Sequence, residues 1–582
     1  PHGWNDSHRA VNGGRYDRWV PSKGASAMAH LTRAELPFHF ALADAFTVCD
    51  AYHCSLIGPT DPNRYHLWTG WTGNDGQNGG PVLSNAEVGY DWSTYPERLE
   101  MAGISWKVYQ DVGLGLDANG YWGWTDDPYI GNYGDNSLLY FHQYQNAAPG
   151  SPLAQRARTG TNIRAGGTLF DVLREDVKNG TLPQVSYIAA PEALSEHPNW
   201  PSSYGAWYIS QVLDILTSNP EVWSKTVLFI NYDENGGYFD HVVPPAPQAG
   251  RSTVDTVNEL FPGGSGFVAG PYGLGQRVPM LVVSPWSTGG YVNSEVFDHT
   301  SVIRFLEARF ARHHAGLVES NITPWRRAVV GDLTSAFDFA NPRRDPAALP
   351  DTSGSRPPDA VRHPDEVVVP PALQRLASQE PGGRRARALP YELEVEGRIH
   401  LGAGTLQLQF INIGRATAVF HARSADPAED PRSYTVEPGK RLEGAWPLVA
   451  AGAPYAVTVH GPNGFTRTFR GGAVGPRGTD LEVRTEYHDD GDLTLVVQNR
   501  GASRRRLVLT DRVNGEPCVE MLSPRERWTR RLATGRRAGW YDLLLAVEED
   551  PGFGLGLAGH VETGEESWSD PALGGASHRV ED

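Results

Sequence analysis

The chain has 582 residues, of which 40% are hydrophobic, 10% aromatic and 20% charged; this is the composition of a folded protein with about two to four domains. A net charge of −17 argues against a nucleic-acid partner, which calls for basic patches, and against tight docking on anionic membranes, while a zwitterionic lipid surface stays compatible. No apolar run approaches the ~20 residues of a transmembrane helix, and the longest stretches, such as Val227-Leu228-Phe229-Ile230, are strand-sized.

The sequence opens at Pro1-His2-Gly3-Trp4 with no Met, signal peptide or twin-Arg pattern, so it is expected to be a fragment entered in mid-domain. Cys49, Cys54 and Cys518 match no zinc spacing and make no disulfide framework. Free buried thiols are expected, with a Cys49–Cys54 pairing open if the chain turns between them.

Residues 1–340 read as one α/β unit. Short β-rich runs at Ile104–Tyr109, Gln184–Ala189, Thr226–Tyr232 and Pro279–Ser284 alternate with amphipathic helices. Tyr208–Leu216 puts Ile209, Val212, Leu213 and Leu216 on one face, and Val302–Phe310 follows the cap candidates Asp298, Thr300 and Ser301. Strands alternating with helices predict a mostly parallel central sheet covered on both faces.

Three constellations in this unit carry chemistry. In His53–Arg64, Gly58 and Pro59 make a tight turn that exposes Thr60, with Asn63 and Arg64 close by. A hydroxyl becomes a nucleophile once a base or metal lowers its pKa, Arg clamps phosphoryl oxygens, and Asn donates to them; a capped turn is the plainer reading. Ser195-Glu196-His197-Pro198-Asn199-Trp200 follows the second β run and places His197 in a loop, either as a structural imidazole or as a phosphate contact, metal ligand or general acid. Asn231–His241 follows the third run, and its adjacent acids Asp233 and Glu234 repel one another unless solvated or shared with a cation. Asp240 and His241 are candidates for further ligands or for loop supports. Together the three supply a nucleophile, carboxylates for a cation, and His and Arg for phosphoryl oxygens, which is a kit for phosphoester hydrolysis through a covalent intermediate.

Residues 341–389 are rich in Pro, Arg, Asp and Ser and read as a linker. Beyond it Leu406–Gly414 resembles Leu493–Gly501, an offset of 87 residues. Two small β-sandwiches, 390–474 and 475–572, with a tail at 573–582, are expected.

The stretch from His2 through Phe339 resembles the phosphocholine-preferring bacterial phospholipases C, in a phosphoesterase group that includes an acid phosphatase. The matching words are Gly13–Pro21, Ala41–Asp50, Gly58–Arg64, Asp91–Leu99, Tyr232–Pro245 and Gly331–Phe339, and the terminal repeats look like the paired β domains of these enzymes. The resemblance implies a fold like that of the alkaline phosphatase superfamily, with Thr60 as nucleophile. It implies one divalent metal of unspecified identity on Asp233, Glu234 and Thr60. It also implies active-site roles for His197 and for His2 of the Pro-His-x-Trp motif, alongside Asn63 and Arg64 as substrate contacts. The implied partner is a choline phospholipid at a membrane surface, phosphatidylcholine or sphingomyelin, and the implied destination is secreted or periplasmic.

In one respect the chain departs from the family. The family's Glu-Asn-Arg-Ser-Phe-Asp-His type motif, which completes the metal shell, is not in this sequence, so weak or no activity is expected of the fragment. Choline would bind aromatic faces, for which Tyr65, Trp68, Trp71 and Trp92 are candidates. The rival readings are a phosphomonoesterase using the same nucleophile and metal, and a non-catalytic lipid- or surface-binding relative.

Overall fold

The computed structural model describes residues 1–570 apart from 111–127, 130, 132, 158–166, 346, 360, 365–368, 370, 401–402, 449–453, 473–479, 514 and 516; the expected tail at 573–582 lies outside these. The architecture is a mixed α/β region followed by a β-rich region of antiparallel sheets.

The central strand of the first region is Met280–Val283, buried along its whole length. It pairs antiparallel with Thr47–Cys49 on one side and with Leu228–Asn231 on the other. Thr47–Cys49 in turn runs parallel to Val292–Asn293. The sheet is therefore mixed, which corrects the expectation of a mostly parallel one. Parallel neighbours need a crossover, usually helical, and the chain between Leu228–Asn231 and Met280–Val283 contains no helix. The crossover rule does hold for Trp106–Tyr109 and Val185–Ile188, a separate parallel pair with helices between them.

Successive side chains of a strand face opposite ways, and here they feed two cores. Leu281 and Val283 pack with Val212, Leu213 and Leu216 of the helix Ser202–Thr217. Met280 and Val282 pack with Phe297 and with Val302 and Phe305 of the helix Thr300–Phe310. Asp298, two residues before Thr300, accepts from Thr300 N at 2.9 Å, while His299 occupies the cap position. Cys49, Cys54 and Cys518 are free thiols.

The terminal repeats share one sheet and one core. Thr405–Asn412 and Leu493–Asn499 are the middle strands of two three-stranded sheets, and turn Leu406, Leu408 and Phe410, and Leu493, Leu495 and Val497, into a common core. The repeat extends to chemistry. Asn412 Nδ2 donates to the carbonyls of Ala416 and Val436, and Asn499 Nδ2 to those of Ser503 and Leu522. Behind both lies one continuous eight-stranded sheet, joined where Thr466–Gly471 pairs with Asp550–His560. Arg385–Ala386, inside the expected linker, adds to the edge of the first region's sheet beside Val292 and itself pairs with Ser567–Trp568. No helix of the described residues is long and apolar enough to cross a membrane.

Candidate active site

Thr60 is the first residue of the helix Thr60–Thr69, behind an extended Pro59. Its hydroxyl therefore sits at the end of a helix whose unpaired N–H groups and dipole favour phosphoryl oxygens. Asn63 builds the turn that puts it there. Its Oδ1 accepts from Leu56 N at 2.8 Å, and its Nδ2 donates to the carbonyls of Leu56, Gly58 and Pro59 at 3.3, 3.3 and 3.0 Å. Both ends of this buried amide are committed to backbone, a different task from the substrate contact expected of it.

Arg64 lies four residues on from Thr60 and so shares its helix face. Arg64 Nε donates to Asp233 Oδ2 at 3.1 Å, while its other nitrogens reach Asp135 Oδ1 at 3.2 Å and the Asp135 carbonyl at 3.3 Å. The guanidinium is thus held between two carboxylates. Burial pushes the Asp135 carboxyl up to about 7; Arg64 opposes that shift and Asp233 adds to it.

The strand Leu228–Asn231 delivers Asp233 and Glu234 to this point. Asp233 Oδ1 accepts from Glu234 N at 3.0 Å, and Glu234 Oε2 accepts from Gly236 N at 2.6 Å. Burial, with the charge of Asp233 beside it, holds Glu234 above the usual carboxylate range, against the opposing pull of Lys23 and Arg64. Such a pair gains from a shared cation. The two carboxylates, with the Thr60 hydroxyl on the helix that reaches them, are hard oxygen donors that fit a divalent ion. Among the described residues, no group of three or more His, Cys, Asp or Glu side chains gathers to hold a metal.

His197 lies in the loop between Val185–Ile188 and the helix Ser202–Thr217. Its Nδ1 is paired with Asn199 Oδ1, and its ring lies against Tyr133 at 4.8 Å between centroids. The loop is pinned through Glu196, whose carboxylate takes His39 Nε2 at 2.8 Å and the Tyr232 hydroxyl at 2.8 Å. His2 is close enough to His197 to feel its charge and packs near Gly237. Burial, with Lys23 nearby, holds His2 below the ordinary histidine value.

Several residues at the site were not legible beforehand. Buried Lys23 donates to Pro1 O at 2.8 Å and to Ser7 Oγ at 3.0 Å, and its charge acts on Glu234. His299 Nδ1 accepts from Ser55 N at 3.3 Å, so its Nε2 carries the proton and donates to Tyr232 O at 3.1 Å; it ties the nucleophile turn to the acidic loop. Asp135 and these two reach the site from remote parts of the chain and had no local pattern, whereas Glu196 stands beside His197 in sequence.

Other expectations are corrected. Asp240 is paired with Arg277, through Nε at 2.9 Å and a second nitrogen at 2.8 Å, and His241 is exposed. Tyr65, Trp68 and Trp92 are buried in one hydrophobic core with Trp71 packed against it, so these rings form no open cage for a cation.

Comparison with known proteins identifies the family. The family described as "Phosphoesterase family" matches residues 1–311, and "Bacterial phospholipase C, C-terminal domain" matches residues 385–472. The chain is 58% identical to the non-hemolytic phospholipase C of Burkholderia pseudomallei (strain K96243), across 98% of this chain and 83% of that protein. It is 44% identical to the non-hemolytic phospholipase C of Pseudomonas aeruginosa, across 99% and 82%, and 38% identical to the hemolytic phospholipase C of the same organism, across 98% and 83%.

Proposed function

This chain belongs to the phosphoesterase family of the bacterial phospholipases C and is a hydrolase; from that premise we propose that it cleaves phosphocholine from phosphatidylcholine, with Thr60 as the nucleophile. The observation that carries the reading is the placement of Thr60 on the helix face whose next turn, Arg64, is bonded to Asp233. It supports a site made of that hydroxyl, the helix N-terminus and the acidic pair.

In this account the Thr60 oxygen attacks phosphorus, the bond to the diacylglycerol oxygen breaks, and phosphocholine is left on Thr60 until water releases it. A divalent ion on Asp233 and Glu234 would supply a lowered Thr60 pKa and a polarised phosphoryl oxygen. The free N–H groups of the helix bind the phosphoryl oxygens. Arg64 fixes Asp233 and brings positive charge to the site's edge. His197, oriented by Asn199, protonates the departing alkoxide. His2, kept neutral by its surroundings, is suited to donate a hydrogen bond to a phosphoryl oxygen. Asn63 acts by holding the turn. Among the described residues, Tyr133 beside His197 and Tyr238 beside Glu234 are rings that a choline headgroup would meet.

We also take residues 1–340 as the catalytic unit, related in fold to the alkaline phosphatase superfamily, and a secreted or periplasmic location as the one that suits a lipid substrate. The test compares para-nitrophenyl phosphocholine with para-nitrophenyl phosphate, with and without added divalent ions. Preference for the phosphocholine ester and dependence on metal support the reading; preference for the monoester overturns it.

A further inference from the structure

The segment after the catalytic unit runs along the helix Ser202–Thr217 toward that helix's N-terminus. Ala347 and Leu349 pack on its core, Thr352 Oγ1 meets Ser210 Oγ at 2.6 Å, Arg356 lies over Trp207 at 5.9 Å, and Arg362 lies over Trp200 at 4.8 Å while pairing with Glu192. Glu192 and Trp200 bound the loop that carries His197. The segment is anchored again at Glu380, which takes two bonds from Arg33 at 3.0 and 2.8 Å.

Between these anchors, Pro371–Gln379 has no regular secondary structure and every residue is exposed. Leu373 is 91% exposed and Leu376 83%, and Val369 just before them is 79% exposed. Large aliphatic side chains left so bare mark a surface meant for an apolar partner. Their spacing says which kind. At 100° per residue, Ala372, Leu373, Leu376 and Ala377 fall on one side of a helix and Gln374, Arg375, Ser378 and Gln379 on the other, with Pro371 at the position where helices tolerate proline. Arg375 is the only charged residue from 369 to 379, so the chain's net negative charge is absent from this face. A flat apolar stripe with a nearly uncharged polar side suits the boundary between water and acyl chains of a zwitterionic bilayer.

We propose that Pro371–Gln379 is a membrane-contacting strap, which lies as a short amphipathic helix in the interface of a phosphatidylcholine bilayer and brings the His197 rim down to its substrate. The inference rests on the phospholipid reading of the site. Flotation of the full chain with phosphatidylcholine vesicles tests it without requiring turnover. Leu373→Ser/Leu376→Ser is expected to lower the vesicle-bound partition at least tenfold, while Leu373→Met/Leu376→Met keeps it. Melting temperature and turnover of soluble para-nitrophenyl phosphocholine stay unchanged, because neither leucine packs against the fold. Wild-type partition in the serine variant, or a wild-type chain that does not float, overturns the strap. So does a change in oligomeric mass by light scattering in place of a change in partition, which would assign the leucines to a second copy of the chain. Normal flotation that depends on the leucines, combined with no turnover of any phosphocholine ester, would count against the enzymatic reading and for the strap.

Discussion

Arg64 Nε lies 3.1 Å from Asp233 Oδ2 and so joins the helix that begins at Thr60 to the loop that carries Asp233 and Glu234. With Asp135 on its other side at 3.2 Å, this guanidinium neutralises two carboxylates that would otherwise repel each other across the site. Arg64→Met leaves both without a partner and is expected to cost about 3–5 kcal/mol of stability. Chemical denaturation checks this, and Arg64→Lys, which lacks the planar fork, recovers only part of it.

Asn63 separates a positioning role from a substrate-contact role. Its four backbone bonds predict that Asn63→Ala loses about 2–4 kcal/mol, with turnover falling because Thr60 is displaced. Asn63→Asp is expected to be at least as damaging, since a carboxylate would face three carbonyl oxygens. A variant of normal melting temperature with only a raised KM would contradict this.

Asp240 and Arg277 give the pH dependence. Burial raises the Asp240 carboxyl, but the hydrogen bonds and charge of Arg277 outweigh it and hold it below its ordinary 3.8. A carboxyl lowered by folding binds fewer protons in the native state, so its stabilisation is present above about pH 4 and is lost as the pH falls through its folded value. Arg277 also donates to the Asp50 carbonyl at 3.0 Å, which fixes the acidic loop to the end of the strand Thr47–Cys49. Asp240→Asn is expected to cost about 1–3 kcal/mol at pH 7, with the difference from wild type shrinking below pH 4 in thermal melts.

Arg326 is wholly buried between Asp298 and Glu259, with a 3.2 Å contact to the latter. Ser55 Oγ also donates to Asp298, at 2.9 Å. Arg326→Met leaves two buried acids unmatched and is expected to cost about 3–5 kcal/mol. It should loosen the Ser55–His299–Tyr232 link as well, which is visible as faster amide exchange at Ser55.

Much of this was legible from local pattern. The turn at Gly58-Pro59 before Thr60 was readable, though the helix that follows was not, and a β run leading into Asp233-Glu234 announces an acidic loop. The 87-residue repeat extends to Asn412 and Asn499. Strand direction was not legible, because a four-residue apolar run such as Met280–Val283 has no polarity in its periodicity; the helix-free connection before it is what makes the sheet mixed. Lys23, Asp135 and His299 were invisible because each acts on residues distant in the chain. Trp68 and Trp92 misled because an aromatic ring beside a motif looks the same whether it faces a ligand or a core.

The identity of the nucleophile is tested most directly by acid-quenching the enzyme during turnover of para-nitrophenyl phosphocholine and mapping the trapped adduct by peptide mass spectrometry. The account predicts phosphocholine on Thr60, and neither adduct nor turnover in Thr60→Ala, with a fall of about 1,000-fold or more in kcat and a near-normal melting temperature. Turnover that persists in Thr60→Ala, or an adduct on another residue, would contradict it.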